Sequence, residues 1–141
     1  MAAVNMRRVA LGAVAGWVVW GIWSTIVNVV ILSAHYAEEA KDGHILTEAR
    51  YKLFILYWFI ALFIISWILA WLYASVRATR GAGPKTALTV GLAVGFAIAF
   101  PVNLTNAAFA PFDRILPFWW MLDLWVGSIL ATLVAGFLYR D

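Results

Sequence analysis

Four long apolar runs separated by short polar stretches dominate this 141-residue chain. They cover about residues 9–32, 51–76, 86–108 and 118–139. A helix that crosses a bilayer needs about 20 predominantly apolar residues, and each run supplies that length. The pattern predicts an all-α membrane protein: four transmembrane helices in an antiparallel up-down bundle, forming one domain over residues 1–141. The apolar core of a cleaved signal peptide is only about 7–15 residues long. The first run is longer, so it is expected to remain as a span.

Within the runs, small and polar residues recur every fourth position. The third run carries Ala87, Gly91, Gly95 and Ala99 and ends its row at Asn103, just after Pro101. The first carries Gly12, Gly16, Trp20, Ser24 and Asn28, and the fourth carries Asp123, Gly127, Ala131 and Ala135. Small residues let helices approach closely in lipid, where polar side chains bond across the seam. A four-residue step overshoots a helical turn by about 40°, so these rows predict inclined, close crossings. The second run has no glycine and is strongly aromatic, from Tyr51 through Trp58 and Trp67 to Tyr73. It is expected to be the most peripheral helix. Trp17, Trp20 and Trp23 form a strip on the first run that faces lipid or a neighbouring helix, or offers a stacking surface to a flat ligand.

The polar connections add local signals. Residues 34–41 (AHYAEEAK) extend the first helix by about two turns, and Asp42-Gly43 marks its stop. Thr47 is a candidate cap for the second helix, which would place Arg50 and Lys52 in its first turn. Cations there oppose the helix dipole and suit interface anchors or carboxylate partners better. The segment 77–85 (RATRGAGPK) is a tight basic turn. Pro101 should disturb the third helix, with Asn103, Thr105 and Asn106 placed to bond the affected backbone.

Composition agrees with the pattern: 65% of residues are hydrophobic and 12% charged, half the charged share of a typical soluble domain, about 25%. No cysteine is present, which excludes disulfides, thiolate metal sites, Fe–S clusters and cysteine nucleophiles. The net charge of +3 reflects topology; no basic run exceeds two residues, and no nucleic-acid partner is expected. With four spans, both termini share one side with Arg7, Arg8, Arg77, Arg80, Lys85 and Arg140, against Lys41, Arg50, Lys52 and Arg114 on the other. Excess Lys and Arg marks the cytoplasmic side, so both termini are expected to be cytoplasmic in a bacterial inner membrane.

Counting about 1.5 Å per residue from the span ends places Asn28, Tyr57, Asn103, Asn106 and Asp123 at a similar depth near the end opposite the termini. These five form the candidate intramembrane polar cluster. Asp123 weighs most, because an ionisable residue within a span is a functional hypothesis by default. Its expected partners are Asn103 across the seam between the third and fourth helices, or a cation from Arg50, Lys52 or Arg114. The bland reading makes the cluster helix glue; the sharper one makes it a proton or ligand site.

Enzymatic signatures are missing: the chain has no Walker loop, nucleophile elbow, HExxH or strand-to-helix GxGxxG. His35 with Glu38 and Glu39, and His44 with Glu48, have helical spacing suited to metal ligands, but they lie in a short solvated segment. No catalytic residue, metal or cofactor is expected.

Two stretches, WLYASVRATRGAGPKTALTVGL (Trp71–Leu92) and ATLVAGFLYRD (Ala131–Asp141), resemble small uncharacterised bacterial four-helix membrane proteins. These share an LYAxxR…GPKTA loop and an ATLxxGxLY last helix. The resemblance implies a bacterial four-span protein and brings no activity. The favoured expectation is a non-catalytic accessory or packing subunit of a larger respiratory or photosynthetic inner-membrane assembly. Its partners would be membrane lipids and other subunits or itself. The alternative is a small-molecule, lipid or quinone binder or transporter, working as a homo-oligomer with its site at the polar cluster.

Overall fold

The computed structural model describes residues 4–139, and these are all-helical with four long apolar helices. Helix α1 runs Met6–Thr25 and passes without a break into a π-helical turn, Ile26–Ile31. Helices α2 (Ser33–Lys41), α3 (Phe54–Arg80), α4 (Pro84–Phe109) and α5 (Ile115–Leu138) follow. α1 with its π turn, α3, α4 and α5 are each long and apolar enough to span a membrane. They form an up-down bundle in which α5 packs on all three other spans, while α1 and α4 meet it on separate sides.

Local chemistry sets the ends. The Asn5 side chain accepts from Arg8 N–H at 3.2 Å and caps α1, so the helix starts before the apolar run does. Gly43 and Gly81 take positive φ values of 78° and 87°, which glycine adopts without steric cost, and they terminate α2 and α3. Pro84 sits in the first turn of α4, where its missing N–H costs nothing. Thr47 does not cap the second span. That helix begins at Phe54, and residues 47–53 are irregular. Arg50 and Lys52 therefore lie before the helix, and the conflict with its dipole disappears. Arg140 lies outside the described residues.

The four-spaced rows are the seams. Going up α1, Gly12 faces Ala135, Gly16 faces Ala131, Trp20 faces Gly127, and Ser24 and Asn28 reach Asp123. Each four-residue step along α1 is matched by a four-residue step back along α5, as antiparallel packing requires. The approach is close: a Cβ added at Gly16 would stand 2.8 Å from the Ala131 carbonyl oxygen. A Cβ at Gly127 would overlap the Trp20 indole. The α4 row meets a different face of α5, with Gly91 against Ile129 and Thr132 and Gly95 against Trp125 and Ser128. α3 is the least buried span, the peripheral position its glycine-free aromatic sequence predicts. Pro101 stays within α4; Asn103 Nδ2 donates to Ala99 O and Thr105 Oγ1 to Pro101 O, both at 2.8 Å.

Candidate functional site

The residues of the sequence-predicted cluster do not share one space. Asp123, only 1% exposed, turns towards α1. Its Oδ2 accepts from Ser24 Oγ at 2.8 Å and Asn28 Nδ2 at 2.9 Å, and its Oδ1 accepts from Trp20 Nε1 at 3.3 Å. None of the expected partners is there. Asn103 is buried against its own helix, bonded to Ala99 O. No cation pairs with Asp123 among the described residues. Three donors match the acceptor-only character of an ionised carboxylate.

Tyr57 is 53% exposed in the first turn of α3 and contributes nothing. The next residue does: Trp58 Nε1 donates to Ser24 Oγ at 3.0 Å. Asn106 is half-buried in the last turn of α4, away from these bonds. Of the five candidates, the structure thus joins Asn28 and Asp123 and leaves Tyr57, Asn103 and Asn106 outside. The reason is rotational. A common depth says nothing about which face a side chain takes, and the α4 and α1 rows occupy different faces of α5.

Asn28 is the hub. It lies in the π turn, a wider turn that is frequent at functional sites. Its Nδ2 also donates to the Ser24 carbonyl at 2.9 Å, and its Oδ1 accepts from Tyr36 Oη at 2.6 Å. Tyr36 in turn accepts from Trp120 Nε1 at 2.6 Å and stacks on that indole. A continuous chain of bonds thus joins Trp120, Tyr36, Asn28, Asp123, Ser24 and Trp58 across α5, α2, α1 and α3. Burial, reinforced by the negative charge at Asp123, raises the Tyr36 pKa above its ordinary value, against a lowering by the Trp120 bond. The phenol stays a neutral donor.

Helix α2 closes the network from the end opposite the termini. Its Glu39, almost fully buried, accepts from Asp113 N–H at 3.0 Å and meets His44 Nδ1 at 2.7 Å. These contacts tie the loop before α3 to the loop before α5. His35, Glu38 and Glu48 do not join them, and the described residues contain no group of three potential metal ligands.

The tryptophan strip faces neighbouring helices. Trp17 Nε1 donates to Phe59 O on α3 at 2.9 Å, Trp20 to Asp123, and Trp23 to Leu122 O on α5 at 3.4 Å. Trp125 donates to Leu92 O on α4 at 3.2 Å. Indole N–H groups act here as bolts between helices, a role open to any donor in a medium without water.

At the other end, the last turns of α3, the start of α4 and the end of α5 come together. Tyr73 Oη accepts from Gly83 N–H at 3.2 Å, Arg77 Nη1 donates to Tyr139 O at 2.8 Å, and Arg77 lies 4.7 Å from the centre of the Tyr139 ring. A Cβ at Gly136 would touch both Ala87 and Tyr73. Tyr73, Arg77, Gly83, Gly136 and Tyr139 thus form one structural clasp, and its chemistry is packing. No protein-family model matches the chain, and no curated protein or solved structure does.

Proposed function

We propose that this chain is a non-catalytic packing subunit of a larger membrane assembly, of respiratory or photosynthetic kind, in a bacterial inner membrane. The observation that carries the reading is the state of Asp123. It is the sole carboxylate within the spans. It is buried and engaged by three side chains of α1, leaving its lone pairs directed at the fold rather than at a substrate. The perimeter supports the same reading: large apolar side chains such as Val18, Ile22, Ile64, Leu104 and Phe137 point outward all round the bundle. The excess of cations on the terminal side favours cytoplasmic termini. Resemblance to small bacterial four-helix proteins fits this reading and adds no activity to it.

The alternative, a transporter or binder with its site at Asn28, Tyr57, Asn103 and Asp123, loses support because only Asn28 and Asp123 meet. Purification from native membranes in mild detergent tests the proposal. A fixed-stoichiometry complex with other membrane subunits is the expected result. A monomer or homo-oligomer that carries a bound quinone or pigment and no other subunit would overturn it.

A further inference from the structure

Between α1 and α3 lies an open groove of about 560 Å³, lined chiefly by Trp17, Gly21, Ile22, Thr25, Ile26 and Phe59. It exists because position 21 lacks a side chain: a Cβ there would stand 3.0 Å from Phe59 Cε1. The two polar groups in its wall are already engaged, Trp17 Nε1 with Phe59 O and Thr25 Oγ1 with Gly21 O. Nothing in the wall is left to bond a polar ligand. Along α1 the groove follows the ten residues from Trp17 to Ile26, a rise of about 14 Å, and it opens sideways from the apolar part of a span. That is the shape and chemistry of a hydrocarbon chain.

The end of the bundle towards which the groove runs carries the complementary charge. α1 and α3 are antiparallel, so Ile26 and Phe54 lie towards the same end of the bundle. Just before Phe54 comes the irregular segment Arg50-Tyr51-Lys52-Leu53, in which cations alternate with exposed apolar residues. Arg50 and Lys52 are exposed and pair with no carboxylate among the described residues. Alternating cations and apolar groups are the composition of a membrane interface, where basic residues attract anionic lipid.

We propose that this groove holds a phospholipid, with one acyl chain against Gly21 and Phe59 and an anionic headgroup at the level of Arg50 and Lys52. The selectivity follows from charge. Each interfacial cation favours an anionic headgroup roughly fivefold, so the two together favour phosphatidylglycerol over phosphatidylcholine by roughly 25-fold.

Native mass spectrometry of the full chain, released from micelles containing equal dioleoyl phosphatidylglycerol and dioleoyl phosphatidylcholine, tests this. The wild type should retain one phosphatidylglycerol in preference. The pair Arg50→Gln and Lys52→Gln should bring the two lipids to parity without loss of lipid binding. Gly21→Leu, which fills the groove from its floor, should abolish retention of both lipids. Should Gly21→Leu fail to fold, Ile22→Trp fills the groove from a rim position that is 58% exposed, and the same loss is expected. Equal retention of both lipids by the wild type, or no retention, would overturn the proposal. So would phosphatidylglycerol held undiminished in the folded groove variants.

Discussion

The Trp20 indole occupies the space that a side chain at position 127 would need. Trp20 is completely buried, and its Nε1 reaches on past Gly127 to Asp123 Oδ1, one turn along the same helix. A large residue on α1 and a missing one on α5 are thus a single device, which sets both the helix separation and the depth at which Asp123 is met.

This complementarity predicts non-additive mutations. Gly127→Ala forces a methyl group into the indole and should destabilise the protein by about 1–3 kcal/mol or more. Trp20→Leu opens a cavity and removes one donor from Asp123, costing about 3–5 kcal/mol by analogy with other large-to-small core changes. In the double variant the clash disappears, so the total should fall below the sum of the two, as contacting residues commonly do. Thermal unfolding in detergent measures the cycle. Strict additivity would show that the two side chains do not compete for one space.

A second comparison probes the α4 seam. Gly95→Leu places bulk where a Cβ alone would already lie 2.9 Å from Trp125 and Ser128. Leu92→Ala trims a side chain on the outer face of the same helix. The first should cost several-fold more stability than the second, read as the detergent melting temperature. Equal losses would refute the close crossing.

Much of this architecture is legible in the sequence. The apolar runs locate four spans, and the four-spaced rows locate the seams. What the rows lack is a partner list. Spacing gives depth along a helix but not which neighbour each face meets, so Asn103 and Asp123 fall at one level without touching. The roles of Trp58, Tyr36 and Trp120 are likewise illegible. An indole or phenol near a span end reads as an interface anchor, and spacing does not show that these three side chains turn inward to Ser24, Asn28 and one another. The α1 and α5 rows do hold the needed signal. Run antiparallel, they pair glycine with alanine, Trp20 with Gly127, and Ser24 and Asn28 with Asp123.

Tyr36 predicts a pH dependence. Its folded pKa is raised above the ordinary value of 10.0, mainly by burial. A raised value means that the folded state holds the proton more tightly than the unfolded state. The contribution is therefore fully present below pH about 10 and is lost as pH rises through the folded value. Tyr36→Phe removes this term together with the bond to Asn28. The variant should be less stable at neutral pH and should lose less further stability between pH 9 and pH 11 than the wild type, the ordinary tyrosine range being about 10. Parallel alkaline profiles would show that Tyr36 does not titrate with folding.

Topology is open to direct labelling. Single cysteines at Lys41 and at Ala82 lie at opposite ends of the bundle, in a chain that otherwise has none. With cytoplasmic termini, a membrane-impermeant maleimide should label position 41 in intact spheroplasts and position 82 only after lysis. The reverse pattern would invert the orientation and leave the bundle itself untouched.

Asp123 separates a structural role from a chemical one. In Asp123→Asn the single amide oxygen can still accept from Ser24 and Asn28, the two shorter bonds. The amide nitrogen then faces the Trp20 N–H, donor against donor, so only the weakest contact, at 3.3 Å, is lost. Asp123→Leu removes every acceptor and leaves the Trp20 N–H and one Ser24 or Asn28 donor unpaired in the interior. Each unsatisfied buried group costs about 1–3 kcal/mol. The packing role therefore predicts a graded series, with a small loss for Asn and a loss of several kcal/mol for Leu, read by thermal unfolding in detergent. Asn28→Leu should resemble Asp123→Leu, and the double variant should lose less than the sum, because each change removes the other's partner. A chemical role predicts another outcome: Asp123→Asn folds with wild-type stability and yet loses a bound molecule or a proton-coupled activity that the wild type shows. Observation of that pattern would move Asp123 from the packing of the bundle to the work of the protein.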